Sequence, residues 1–395
     1  MRSKFQILFG AFVILTVLTA SPHMVHSQTT NFKPFSVKSA TPDVALTKLF
    51  HENPRWCGAD GACSVSLDEG STVWLFGDTF VRKDKLILLN VKHDPKTDSA
   101  SSFAFINNTA AVLKLTNGSM KFHWRESQNA PAALMSPKTP SMSYYWPGDG
   151  FVLDEKLFIA NKVIVPSVAK KAGDFGFEWK SDDLTVVSNP GQLPTAWQWN
   201  TVALPEHNKT ALMGTACLLK DDYAYFYMSL QKFAVGTNVH PTGVSRIPKN
   251  ALLSMDMSKF EFWNGQKWVS DIAQSSVIIE DGASEMTVTE LNGEPYLVAT
   301  YMAPMSADIC MRFSKKPEGP WSDPIKIFEC PEHQIKVLGR RTAVYSAKAH
   351  PELSRHKDEI VVTYCSNPGE MKHYLSRPDL YYPRVIRVVL RSAGI

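Results

Sequence analysis

Four acidic residues share a position in a recurring pattern. Asp60 lies in Gly58-Ala59-Asp60-Gly61 and Asp78 closes Trp74-Leu75-Phe76-Gly77-Asp78-Thr79. Between them, Cys63–Leu67 and Thr72–Phe76 flank the acidic, glycine-containing turn Asp68-Glu69-Gly70, which reads as a β-hairpin. With the turn centred at Glu69, Asp60 and Asp78 fall opposite each other at the open end. Two carboxyls so placed repel, and with partial desolvation their pKa values separate, which suits one proton donor and one base. Asp149, in Trp146-Pro147-Gly148-Asp149-Gly150, and Glu285, in Gly282-Ala283-Ser284-Glu285-Met286, hold the equivalent place in later hairpins. They are candidates for an alternative acid or for groups that set the pKa of the first pair. Each also has a plainer reading: an Asp before Gly caps turns, and a Glu at a strand edge is solvated.

The elements that position these acids are strands. Twenty-five prolines and 21 glycines punctuate short runs rich in Val, Tyr, Phe, Trp and Thr, and helical periodicity is scarce, so an all-β fold is expected. Five hairpins begin near positions 60, 149, 214, 285 and 346, each with room for two further strands. Four-stranded units repeated around an axis make a five-bladed β-propeller, with a two-sheet sandwich as the alternative. The alternating run Arg384–Leu390 is expected to close the ring as the outer strand of the first blade. Expected boundaries are a leader over 1–27, an extension over 28–45 and one domain over 46–391.

Three segments carry a family resemblance: Trp74–Thr79, Tyr345–Leu353 and Tyr382–Val388. Over roughly Leu46–Leu390 the chain resembles a secreted five-bladed propeller family long known only as a domain of unknown function, some of whose bacterial members are endo-D-arabinanases. The resemblance implies glycoside hydrolysis by a carboxylate pair across an oxocarbenium-like transition state, with Asp60 and Asp78 as the pair. The surroundings of the first Asp, Cys57-Gly58-Ala59-Asp60-Gly61, depart from the family pattern. More distantly, the chain is similar to propeller glycosidases with three inner-strand carboxylates. Among aromatic and polar side chains, Trp146, Trp199, Tyr345 and His350 are candidate carbohydrate contacts, set against roles in packing between blades. Arg340-Arg341 suits an acidic substrate group or a solvated rim. A non-catalytic carbohydrate- or protein-binding propeller stays open. Lyase or esterase chemistry ranks last, since no Gly-x-Ser-x-Gly elbow is present.

Composition narrows the classes. The chain has 395 residues, 44% apolar and 20% charged, which excludes a disordered or collagen-like polymer. Ile7–Ala20, behind Arg2 and Lys4, is too short for a membrane span and has the form of a secretory leader cleaved after Ser27. Losing those two cations takes the net charge from +4 to +2, a balance that argues against nucleic acid or membrane docking. A secreted monomer is expected, with sequons at Asn107, Asn117 and Asn208. Six cysteines allow up to three disulfides, and no zinc-like spacing is present, so no metal or cofactor is expected.

Overall fold

The computed structural model describes residues 32–393 except 69, 85–98, 139–141, 168–175, 207–210 and 231–238. The leader, the Glu69 turn residue and the Asn208 sequon therefore lie outside the described residues.

All five hairpins form, and the two strands of each lie side by side at one end of an antiparallel sheet. The first sheet runs Cys63–Asp68, Ser71–Phe76, Thr109–Lys114, Ser119–His123; the second runs Tyr144–Leu153, Lys156–Pro166, Phe177–Val187, Trp199–Ala203. The third opens with Leu212–Lys220 and Tyr223–Ser229, the fourth with Met286–Glu290 and Leu297–Met302, and the fifth with Ala343–His350 and Glu359–Asn367. Local chemistry sets the turns. Asp154 and Glu155 both take positive φ, +51° and +58°, as a two-residue turn matched to strand twist requires.

The sheets pack in a closed sequence. Val73 and Leu75 of the first meet Leu157 and Ile159 of the second. Phe158 and Leu184 meet Phe226 and Ile247 of the third, whose Tyr227 and Val244 meet Val288 and Tyr301 of the fourth. Val298 and Phe313 of the fourth meet Val362 and Ile386 of the fifth. Finally Val361 and Val385 of the fifth meet Trp74 and Phe76 of the first. Each fully buried aromatic in these seams contributes roughly 2–3 kcal/mol of apolar transfer.

Closure differs from the sequence expectation. Arg384–Ser392 does not extend the first sheet; it is the third strand of the fifth, paired with Glu359–Asn367 on one side and Phe35–Pro42 on the other. The N-terminal strand is thus the outer edge, and part of the expected extension belongs to the domain. Burial explains the exchange. Val385, Ile386, Val388 and Leu390 are all buried and need cover on both sides, whereas Phe35–Pro42 is mostly exposed and polar, as an edge strand should be. Arg387 ties the two ends by pairing with Asp43 at 2.6 Å and Glu359 at 2.5 Å.

All six cysteines are buried and none is in a disulfide, so the expected disulfides are absent. Each packs into a different buried cluster, where a small apolar side chain is what the position needs. Among the described residues, no helix is long and apolar enough to cross a membrane.

Candidate active site

The first hairpin delivers the acid pair as its register requires. Cys63 pairs with Leu75 and Ser64 with Trp74; continued outward, this sets Asp60 opposite Asp78. Asp60 N–H donates to the Asp78 carbonyl at 3.2 Å, and Gly77 N–H to the Asp60 carbonyl at 2.9 Å. Here the regular ladder stops. Gly61 and Ala62 take φ of +83° and +43°, and the chain re-forms beyond the acids as a small sheet of Trp56–Ala59, Thr79–Arg82 and Phe103–Ile106. The break turns both carboxyls out of the pleat and into a cleft of about 300 Å³. Phe80 and Phe105, from the small sheet, line one part of it, and Asn367–Gly369, Met371, Tyr374 and Tyr381, from the fifth sheet and its following loop, line the rest.

Each carboxylate is held by two donors on one oxygen. Asp60 Oδ2 accepts from the Tyr345 hydroxyl at 2.8 Å and the Tyr381 hydroxyl at 3.2 Å. Asp78 Oδ1 accepts from Trp146 Nε1 at 2.9 Å and Asn107 Nδ2 at 3.2 Å. Among the described residues neither Asp60 Oδ1 nor Asp78 Oδ2 has a donor, so one oxygen of each is left for chemistry. Burial pushes the Asp60 carboxyl well above the usual range, and the charges of Asp78 and Glu285 add to that. Asp78 rises to about 6, by burial first and then by Glu285, against the opposing pull of Trp146 and Asn107. Neutral donors soften the desolvation but do not cancel it.

The other expected residues divide. Glu285, half-buried just before the innermost strand of the fourth sheet, acts electrostatically on both aspartates and belongs to the cluster. Trp146 and Tyr345 are also there, as hydrogen-bond donors to the acids. Asp149 is not. Its carboxylate accepts from Cys217 N–H at 2.7 Å, Gly150 N–H at 2.8 Å and Cys63 Sγ at 3.2 Å, so it ties the first three sheets together from a buried position. His350 ends the strand Ala343–His350, which also carries Tyr345. It is buried between Ser64 Oγ (2.5 Å) and Thr363 Oγ1 (2.7 Å), and burial lowers its pKa to about 3. Trp199 pairs with Val187 on the outermost strand of the second sheet, three strands from the inner wall. Neither of these two lines the cleft: His350 is on an inner strand but buried between neighbouring side chains, and Trp199 is on an outer strand.

Four participants were missed. Tyr381 adjoins the Tyr-Pro-Arg segment, but nothing local marks its hydroxyl as a partner of Asp60. Asn107, expected as a glycan acceptor, instead directs its amide at Asp78. Phe105 is 51% exposed on the cleft wall, an unusual position for phenylalanine. Lys162 is buried on the second strand of the second sheet, opposite Trp146, within electrostatic reach of Glu285 and Asp60. Burial lowers the Lys162 pKa while those acids raise it.

A family model described as a domain of unknown function (DUF5005) matches residues 43–390. The chain belongs to that family. No curated protein matches the sequence. Among solved structures, a Bacteroides ovatus protein described as a "putative hydrolase" superposes with a TM-score of 0.67 at 18% identity, covering 88% of this chain and 90% of that one. A β-xylosidase, RS223, gives a TM-score of 0.47 at 11% identity over 86% and 94% of the two chains. A GH43_1 enzyme of Xanthomonas citri bound to xylose gives 0.45 at 13% over 89% and 93%. The Bacteroides likeness establishes a shared fold.

In this DUF5005 chain the cleft combines a carboxyl pair with an apolar wall. Both acids hold their protons above the usual carboxylate range, each has a free oxygen, and both face one cavity. That arrangement can donate a proton at one side of a bound molecule and accept one at another.

Proposed function

We propose that the chain is a secreted glycoside hydrolase on a five-bladed β-propeller, acting on a polysaccharide for which an arabinan-like polymer is the first candidate. The closed succession of five sheets supports the architecture. The description of the Bacteroides ovatus protein as a hydrolase agrees with the activity. One observation carries the chemistry: Asp60 and Asp78 lie side by side at a broken ladder, both lining one cleft and both held above the usual carboxylate range.

Asp60, whose proton is held by burial and by the charges of Asp78 and Glu285, donates it from the free Oδ1 to the glycosidic oxygen as the C–O bond breaks. Positive charge develops on the sugar ring and the ionised Asp78 stabilises it. Asp78 Oδ2 then either takes a proton from the attacking water or itself bonds to the anomeric carbon until water displaces it. In both cases water adds across the cleaved bond, and the two acids regain their starting states by exchanging protons with solvent. Tyr345 and Tyr381 hold Asp60, Trp146 and Asn107 hold Asp78, and Glu285 keeps both pKa values high. Asp149 serves as an internal tie and is not a proton donor. Phe105 offers an apolar face to a sugar ring.

The test is incubation with arabinans, xylans and fructans, with released oligosaccharides profiled for wild type and for Asp78→Asn. Turnover by the wild type and loss of turnover with retained binding in the folded variant supports the proposal. Glycan binding without wild-type cleavage of any polymer replaces it with a carbohydrate-binding function.

A further inference from the structure

Arg340 and Arg341 belong to a short hairpin in which Lys336–Val337 pairs with Arg340–Arg341 around Leu338 and Gly339. Lys336 stands opposite Arg341, a like-charge pair that costs stability. Leu338 at the tip is 65% exposed with φ of +48°, a strained conformation for leucine. The hairpin reaches the cleft. The Arg340 side chain lies over Gly369, where a Cβ would come within 3.0 Å of its Cδ and Nε, and Gly369 lines the same cavity as Asp60 and Asp78. Compensation is thin. Glu370 is shared between Arg340 at 4.0 Å and Lys372 at 3.4 Å, all solvent-exposed, and Arg341 approaches His333 at 3.5 Å instead of an acid. This edge thus carries Lys336, Arg340, Arg341 and Lys372 against Glu370, in a chain with 42 basic and 38 acidic residues overall.

We propose that this basic edge is a subsite for anionic groups on the glycan, so that the substrate is an acidic polysaccharide bearing uronate carboxylates or sulfate esters. The inference rests on the glycan-hydrolase function proposed above. At about 300 Å³ the cleft is at the small end for a ligand site, so a polymer held there continues over its rim. Arg340, whose side chain lies over Gly369 at that rim, offers a forked donor matched to carboxylate or sulfate, with Arg341 and Lys336 adding positive charge from the other face of the hairpin. They also draw an anionic chain towards a floor whose acids would otherwise repel it.

The experiment measures binding and cleavage separately, on a polyuronate, a sulfated galactan and the carboxyl-reduced, neutral form of the polyuronate. Wild type is compared with the Arg340→Gln/Arg341→Gln double variant, whose melting temperature reports folding. The expected result is that wild type binds one or both acidic polymers more tightly than the neutral one, with affinity falling as salt rises. The variant weakens that binding about fivefold, in proportion to one exposed ion pair at Arg340 and the lost charge of Arg341, and leaves neutral-glycan binding unchanged. Preference for the polyuronate identifies carboxylate as the recognised group, and preference for the galactan identifies sulfate. Acidic binding without cleavage supports this subsite while removing the hydrolase. Equal binding of acidic and neutral polymers, an unaltered variant, or cleavage of neutral glycan alone overturns the subsite and leaves the hydrolase standing; no binding of any polymer overturns it as well.

Discussion

Gly77 lies directly beneath the Asp60 carboxylate: a Cβ at position 77 would come within 2.5 Å of Asp60 Oδ1. The backbone at 77 is not left-handed, so alanine meets no conformational penalty there and the conflict is with the acid alone. Gly77→Ala is expected to displace the Asp60 side chain and lower kcat by roughly 100-fold, the scale of an ångström-sized misplacement. Its melting temperature should stay close to wild type. A variant that keeps full activity, or that unfolds, contradicts this reading of the contact.

Asp78→Asn separates activity from stability. Loss of the base should cost roughly 10²–10⁴ in kcat. Stability should move the other way. The folded chain raises the Asp78 pKa to about 6, above its unfolded value, so it binds more protons than the unfolded chain across that interval. Stability therefore falls as pH rises from roughly 4 to 6. Removing the charge should recover up to about 3 kcal/mol at pH 7 and nothing below pH 4. Denaturant melts at the two pH values decide the matter.

The pH profile of kcat/KM should show an acid limb near 6, where Asp78 ionises. Two substitutions are expected to move it in opposite directions. Glu285→Gln removes a negative charge that raises the Asp78 pKa, so the limb shifts to lower pH. Trp146→Phe removes a hydrogen bond that lowers it, so the limb shifts to higher pH. Shifts of the same sign would mean that these contacts do not govern the limb.

With all six cysteines buried and none in a disulfide, a thiol reagent should titrate essentially none in the native protein and six in denaturant without reductant. A lower count in denaturant would reinstate a disulfide.

Asn107 should carry no glycan, since its amide is directed at Asp78 and Thr109 of the same sequon is buried against Trp56 and Thr79. Peptide mapping of protein from a glycosylating host, with the exposed Asn117 as the internal comparison, checks this.

The sequence revealed most where the physics is local. Hairpin register follows from a turn a few residues long, and the opposition of Asp60 to Asp78 was legible because the turn between them settles it. The phase of the other hairpins placed Glu285 correctly near the pair. The same phase misjudged Asp149, since it cannot tell a carboxylate turned to a cavity from one absorbed by the amides of Cys217 and Gly150. Tyr345 and Tyr381 reach Asp60 across 285 and 321 residues of chain, and no short-range pattern encodes such a meeting. The closing strand was misassigned for a related reason. Alternation marks Arg384–Leu390 as a strand, but the choice of edge depends on the cover supplied by Phe35–Pro42 from the opposite terminus.

That joining of termini has a consequence for biosynthesis. The acids emerge from the ribosome early, yet the phenols that hold Asp60 arrive only with the last sheet, which also needs the first strand as its outer edge. A nascent or C-terminally truncated chain therefore carries both aspartates without their finished setting. On the proposed function, the site is complete only when Phe35–Pro42 has paired with Arg384–Ser392.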